Sequence, residues 1–247
     1  MLYLCIPVHN EAPTVGLLLW RIRKVFQQYS REYEIIVFND GSTDGTGDTL
    51  SGYSDVLPLT VLGAAKPVGY ARALEACCRE ANTRSRYPRR DALIVMQGDF
   101  TDAPEHVPEL VRRFEGGADI VTAERSPVTG MPVAARRLRR LGRWLLGQRA
   151  AKLGTSDPLS GFRLYRIAII RDLLRLVRDE PLLKSHGTAA DVELLLAAST
   201  VARRLESVAS SPRYDLRQRG SRLRAAAHAL AVFRVARAAR QAPVAAK

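Results

Sequence analysis

Cysteine, histidine and aromatic residues are scarce in this chain, and long apolar runs are absent. The three cysteines, Cys5, Cys77 and Cys78, form an odd set without metal-ligand spacing, and chain neighbours rarely bond each other. They are expected to be buried thiols, which leaves no basis for a disulfide scaffold or a cysteine-held metal. The four histidines, His9, His106, His186 and His228, are scattered without partner spacing and read as structural or solvated. The longest apolar stretches, ALIVM at 92–96 and LLLAA at 194–198, fall far short of the roughly 20 residues that span a bilayer. The first residues, MLYLCIPVHNEAP, carry no basic leader, and Pro7 and Glu11 interrupt them before an apolar core of signal-peptide length can form. A cytoplasmic chain is the expectation.

Acidic residues are also missing from one half. Residues 1–124 hold 13 Lys and Arg against 17 Asp and Glu, whereas residues 125–247 hold 25 against 8, within a net charge of +13. A basic half of that size suggests a polyanionic partner, either nucleic acid or an anionic membrane surface, or else a merely solvated face. Nucleic acid is disfavoured, because the arginines are not interleaved with aromatic stacking residues.

What the chain does have is alternation. YLCIPV at 3–8, EIIVFND at 34–40, LTVLG at 59–63, ALIVMQGD at 92–99 and DIVTAE at 119–124 read as strands. TVGLLLWRIRKVFQQY, GYARALEACCREANTR and PEHVPELVRRFEGG, set between them, read as helices. That order implies a parallel, doubly wound α/β sheet that binds ligands at the carboxyl ends of its strands. Beyond residue 125 the pattern is less regular: a basic segment at 133–154, a turn-rich SDPLSGFRLYR at 156–166, two helices and a basic Ala- and Arg-rich tail.

The polar residues that follow the strands should share one edge. His9, Asn10 and Glu11 follow the first strand, Asn39, Asp40 and Gly41 the second, and Gln97, Gly98 and Asp99 the fourth. A carboxylate beyond the second strand can accept hydrogen bonds from a nucleobase imide or a ribose, and Asp40 is the candidate. The same FNDGSTDGT run also reads as a turn and helix N-cap through Ser42, Thr43 or Asp44. Asp99 ends a run apolar enough to be a buried central strand, so its charge needs compensation. A divalent cation would supply it, since magnesium takes one or two carboxylates together with diphosphate oxygens and water. Asp102, three residues before Glu105, is a candidate cap for the next helix.

The basic segment at 133–154 places Val133, Leu138, Leu141, Trp144, Leu145 and Leu146 on one face at helical spacing, with arginines opposite. It reads as an interfacial membrane helix or as a helix packed on the core with a solvated arginine face. The tail from Ser221 to Arg240 is similar but has smaller apolar residues.

In order and spacing, IPVHNEAPTV, VFNDGSTDGT, VMQGDFTDAPEHVPEL, ADIVTAER, the pair Arg136 and Arg137, and SDPLSGFRLYR resemble glycosyltransferase family 2. Within it they are most similar to the dolichyl- or polyprenyl-phosphate mannosyltransferase and glucosyltransferase branch, over residues 3–223. The resemblance implies a GT-A nucleotide-sugar fold, Rossmann-like, with a Mg2+ or Mn2+ ion and inversion at the anomeric carbon. Residues 1–124 would form a nucleotide-sugar-binding half, 125–223 an acceptor half and 224–247 a basic helical tail. By family position Pro7, Asn10, Glu11 and Asp40 would hold the nucleotide, with Lys66 and Gly69 in the loop and helix start beside it. Asp99 would ligate the metal, and Arg125 would meet the donor phosphates or the acceptor. Asp157, Ser160, Gly161 and Arg163 would line the reaction centre. Arg136, Arg137, Ser160 and the RGSRL run with Arg219 and Ser221 would face the acceptor phosphate.

Two positions depart from the family pattern. Gln97 stands where the family writes the first Asp of Asp-x-Asp; its carbonyl oxygen remains a possible ligand, but with one charge fewer the metal should bind more weakly. Arg222 replaces a lysine and remains a competent phosphate binder. The implied donor is of the GDP-mannose or UDP-glucose class, and the implied acceptor is a polyprenyl phosphate at the inner face of a membrane. Such a phosphate is already ionised and needs no general base, whereas a sugar hydroxyl would want one, and Asp157 is the carboxylate kept for that case. The rival readings are a soluble family 2 enzyme acting on a hydroxyl, and a nucleotide-sugar-binding protein that lost catalysis with the missing aspartate.

Overall fold

The computed structural model describes residues 1–126, 133–146, 153–213 and 225–241. Its elements run β1 Leu2–Val8, α1 Ala12–Gln28, β2 Tyr33–Asp40, α2 Thr46–Ser54, β3 Leu59–Ala64, α3 Tyr70–Arg84 and β4 Ala92–Val95. A 3-10 turn at Pro104–His106 then leads into α4 Val107–Glu115, followed by β5 Ile120–Arg125 and α5 Val133–Leu146. The chain continues through β6 Arg163–Arg166, α6 Ile167–Val177, α7 Thr188–Val201, β7 Leu205–Ser210 and α8 Ala225–Gln241.

Seven strands form one sheet in the order β3-β2-β1-β4-β6-β5-β7. β1 pairs in parallel with β2 and β4, β2 with β3, and β5 with β7. β6 alone runs against its neighbours, β4 and β5. The chain winds from β1 toward β3 on one side and returns to β4 on the other, so the strand order reverses between β1 and β4. That reversal opens a crevice at the carboxyl ends of the two strands, where doubly wound sheets bind their ligands.

Both faces of the sheet are covered, which is why its strands read as nearly continuous apolar runs. Along β1, Leu4, Ile6 and Val8 pack with Val15, Leu18 and Ile22 of α1 and Leu110 of α4. The alternate residues Tyr3 and Cys5 pack with Leu74, Cys77 and Ala81 of α3 on the other face. All three cysteines are buried and unbonded.

The five strands and three helices read from the sequence before residue 125 are present, as is the mostly parallel α/β sheet. β6 lies inside the run that reads as turn-rich, and β7 carries too few apolar residues for its pattern to stand out. α5 also differs in detail. Val133, Arg136, Arg137, Arg140, Leu141 and Trp144 are exposed, while Gly142 and Leu146 are buried and Arg139 is half-buried. At 3.6 residues per turn the exposed set forms one arc, so arginines and apolar side chains share the outer face instead of opposing each other. Gly142 lies so close to the core that a Cβ there would meet Leu159 Cδ1 at 2.7 Å.

Candidate active site

The crevice at the strand reversal is lined by Pro7, Val8, His9 and Glu11 after β1, Asp40 of β2, Tyr70 and Ala73 of α3, and Gln97, Gly98 and Asp99 after β4. It therefore gathers Pro7, Glu11, Asp40, Gln97 and Asp99, all expected at the site, with Asn10 beside them at a φ of 52°. Backbone close approach builds this floor. A Cβ on Gly98 would lie 2.6 Å from Val8 Cγ1.

Asp40 grips the loop that crosses from β3 to α3. Its carboxylate accepts from Val68 N at 2.5 Å and from Gly69 N at 3.0 Å. The neighbouring Gly41, at a φ of 60°, approaches that loop so closely that a Cβ would lie 2.6 Å from Pro67 N, so the Asn-Asp-Gly run needs its glycine. Lys66 is exposed on the same loop. His9 Nδ1 lies 2.6 Å from the Asp40 carbonyl. Asn10 N donates to Ser42 Oγ, and Asn10 Oδ1 accepts from Thr43 N, so these residues knit two strand ends together. Of the alternative capping candidates, only Asp44 reaches the start of α2, accepting from Thr46 N and Oγ1.

After β4 the chain turns sharply. Asp99 Oδ1 accepts from Thr101 N at 3.1 Å, and Phe100 between them holds a φ of 64° with its ring in the core. A bulky residue in that region is strained and persists only where packing overrides the strain. Asp102 caps no helix. Its Oδ2 accepts from Gln97 N at 2.9 Å, and burial pushes its carboxyl up to about 7. Gln97 Nε2 in turn donates to the Tyr70 hydroxyl at 3.0 Å, and that hydroxyl donates to Asp191 Oδ1 at 2.7 Å. Asp191, in the first turn of α7, is 2% exposed, and burial raises its carboxyl to about 6. No sequence motif pointed to Tyr70 or Asp191; a lone acid before LLLAA reads as an ordinary first-turn residue.

The basic side of the crevice is organised by Asp157. Arg125, the last residue of β5, clasps it with Nε to Oδ2 at 2.8 Å and Nη2 to Oδ1 at 3.2 Å. Arg139 of α5 adds Nη2 to Asp157 Oδ2 at 3.3 Å and donates to the Arg125 carbonyl at 2.7 Å. Asp157 is 1% exposed; burial alone would raise its carboxyl, but Arg125, Arg139 and Arg163 outweigh it and hold it below the usual carboxylate range. A carboxylate so held is stabilised in its charged form by the arginines around it. From the helix that follows β5, it is Arg139 that reaches this centre, while Arg136 and Arg137 are exposed.

Two further residues expected at the reaction centre lie inside the fold. Arg163 is 0% exposed, and its nitrogens donate to Thr122 Oγ1, the Asp191 carbonyl and the Pro158 carbonyl. It braces β5, α7 and the 157–162 turn from inside. Ser160 is equally buried, with its hydroxyl donating to the Ala123 carbonyl at 2.7 Å. Arg219 and Ser221 lie outside the described residues.

The donor chemistry of the Gln97–Asp99 corner fits a divalent cation. A carboxylate and an amide side by side at a cleft are hard oxygen ligands of the kind Mg2+ and Mn2+ prefer, and such ions take the remaining positions from phosphates and water. Among the described residues no group of three His, Cys, Asp or Glu side chains could hold a metal unaided, which matches a site completed by its ligand.

A doubly wound sheet, a crevice at its reversal point, an acidic corner after β4 and a basic centre after β5 define a GT-A nucleotide-sugar architecture. The chain belongs to glycosyl transferase family 2, whose family model matches residues 3–174. It is 29% identical over 171 residues to a dolichol-phosphate mannosyltransferase of Pyrococcus furiosus, covering 67% of this chain and 46% of that protein. It is 27% identical over 208 residues to an undecaprenyl-phosphate 4-deoxy-4-formamido-L-arabinose transferase of Serratia proteamaculans, covering 82% and 57%. A prophage bactoprenol glucosyl transferase homolog of Escherichia coli is 32% identical over 124 residues, covering 50% and 38%. The chain thus spans about half the length of the curated relatives it matches. Among solved structures it resembles glucosyl-3-phosphoglycerate synthase from Mycobacterium tuberculosis in complex with Mn2+, UDP and phosphoglyceric acid, at a TM-score of 0.66 and 18% identity over 98% of this chain and 79% of that one.

Proposed function

We propose that the chain is an inverting hexosyltransferase that moves mannose or glucose from a nucleotide-sugar to a polyprenyl phosphate at a membrane surface. The observations that carry this reading are the crevice at the strand reversal, with the oxygen ligands Gln97 and Asp99 in its lining, and the arginine centre that Arg125 and Arg139 form around Asp157. In this reading Asp40, Glu11, Pro7 and Asn10 hold the nucleotide, with Lys66 and Gly69 on the loop that Asp40 grips. Asp99 and Gln97 hold Mg2+ or Mn2+, which when bound neutralises charge on the leaving diphosphate. Arg125, aligned by Asp157, positions a phosphate in line with the sugar, and Arg219 and Ser221 would add to the acceptor site. An acceptor phosphate oxygen bonds to the anomeric carbon as the bond to the diphosphate breaks, and the nucleoside diphosphate leaves with the electron pair. No proton has to be removed, in keeping with a site whose Asp157 is held ionised by arginines. Two of the chain's relatives are a dolichol-phosphate mannosyltransferase and an undecaprenyl-phosphate sugar transferase, which supports an acceptor of the same class here.

Membrane docking is assigned to α5 together with α8. Trp144 is 75% exposed in the middle of the α5 arc, flanked by Arg137, Arg140 and Leu141, a composition suited to a headgroup boundary. α8 packs against α5 and exposes Leu230, Phe233, Arg234 and Arg237. Among the described residues no helix is long and apolar enough to cross a membrane. The proposed association is peripheral, on the cytoplasmic face, and rests on the exposed arginines and Trp144 of α5.

A transfer assay tests the reaction: GDP-mannose and UDP-glucose, each with Mg2+ or Mn2+, offered with a polyprenyl phosphate in detergent. Label in the lipid phase is the expected result. Label only in a soluble product would favour a hydroxyl acceptor, and donor binding without turnover would favour a binding protein. For docking, vesicles rich in anionic lipid should sediment the protein at about 0.1 M salt and release it near 1 M, where the screening length falls from about 10 Å to 3 Å. Indifference to anionic vesicles at low salt would remove the membrane from this reading.

A further inference from the structure

Tyr70 opens α3, and its hydroxyl is bonded on two sides. It donates to Asp191 Oδ1 at 2.7 Å and accepts from Gln97 Nε2 at 3.0 Å. A carboxylate can only accept, so the phenol proton is committed to Asp191 and the remaining lone pair selects the NH2 end of Gln97. Oε1 is thereby turned elsewhere. Gln97 lines the crevice beside Asp99, and the end of its amide turned away from Tyr70 is the carbonyl oxygen.

The surroundings are shaped to keep this chain of contacts. A Cβ on Gly161 would lie 3.0 Å from both Gln97 Nε2 and Asp191 Oδ2, so only glycine leaves room for the amide and the carboxylate together. Asp191 Oδ2 is itself buried without a hydrogen-bond partner. Burying a carboxylate with one oxygen unpartnered costs free energy that packing alone would recover better with an apolar side chain. An amide free to turn would present either end to the crevice, and its NH2 end repels a cation.

We propose that Tyr70, held by Asp191, is a positioning residue that fixes the Gln97 amide so that its carbonyl oxygen faces a divalent cation beside Asp99. A neutral side chain thereby serves as a ligand at a position where the family carries a carboxylate. The inference rests on the proposed cation site at Asp99, and the experiment separates the two.

The measurement is Mn2+ binding to the whole chain with a saturating nucleoside diphosphate, read from the EPR signal of free Mn2+ during titration against a protein-free control and without turnover. Tyr70→Phe and Asp191→Ala are each expected to weaken binding about fivefold, and Asp191→Asn, which keeps an acceptor oxygen for the phenol, to restore it. In a Gln97→Met background, Tyr70→Phe should change nothing further, because no carbonyl remains to orient. Thermal melts of every variant show whether each is folded, and the Asp191→Ala and Asp191→Asn pair keeps the test decisive if Tyr70→Phe does not fold. Unchanged Mn2+ binding in Tyr70→Phe or Asp191→Ala, or a full additional loss in the Gln97→Met background, would overturn the positioning role while leaving the site standing. If wild type and Asp99→Asn bind Mn2+ alike, the cation site itself is wrong.

Discussion

The two sides of the crevice use polar residues in opposite ways. On the side built by β1, β2 and β4, charged and amide side chains come at strand ends and line the crevice, and their backbone partners are loops that they hold open to it. On the side built by β5, β6 and α7, Asp157, Ser160 and Arg163 of the SDPLSGFR run turn inward and bind neighbouring side chains or the backbone. Asp157 takes Arg125 and Arg139, Ser160 takes the Ala123 carbonyl, and Arg163 takes two carbonyls and a threonine. The lesson is that a family motif marks a site without saying which of its residues touch the ligand. In the proposed reading one motif supplies ligating groups and the other supplies the frame that holds Arg125.

That contrast can be broken at four points. Asp99→Ala should lose turnover altogether while melting as the wild type does, because it removes a proposed cation ligand and a buried charge together. Retained turnover in the purified variant would move the cation elsewhere. Asp157→Asn should instead lose stability, by about 3 kcal/mol at pH 7, because Arg125 and Arg139 are left partly buried without their counter-charge. The carboxyl of Asp157 is depressed in the fold, so its contribution is present above the ordinary carboxylate range and is lost as pH falls through its lowered value. The gap between wild type and variant in chemical denaturation should therefore close on acidification, and a gap independent of pH would deny that charge is its source. Gln97→Asp should lower the Mn2+ concentration for half-maximal transfer several-fold by adding a charge, and an unchanged requirement would place residue 97 outside the ligand set. Ser160→Ala should cost only about 1 kcal/mol, the worth of one buried hydrogen bond, and leave the acceptor KM as it was. A raised KM at full stability would return Ser160 to the acceptor site.

Much of the first region is legible in the sequence because regularity and function coincide there. Parallel strands buried on both faces read as apolar runs, and the polar residues that end them must emerge at one edge. The second region resists for physical reasons. β6 is a four-residue strand inside a turn-rich run, and its direction is set by pairing with β4 and β5, not by any local pattern. Arg163 is placed at the reaction centre by family resemblance; a buried arginine is rare, and only its three internal acceptors show why burial is tolerated here. Asp191 gives no signal, since its meaning depends on Tyr70 and Gln97, both distant in the chain. α5 is anticipated as a basic amphipathic helix, but which arginine turns inward is decided by the close seat of Gly142 against Leu159.

The reversed strand has a bearing on the order of folding. β1 and β2 pair across a single helical connection, so the Asn10 and Asp40 end of the crevice can form at small loop-entropy cost, before β4 joins β1 across a far longer stretch. The opposite side waits for Val95 to meet Arg163 and Thr122 to meet the same residue, contacts that enclose long stretches of chain. Arg163 is thus a keystone in time as well as in place: until it is enclosed, Asp191 and the 157–162 turn lack their common anchor. A refolding chain should accordingly recover affinity for nucleotide before it recovers transfer.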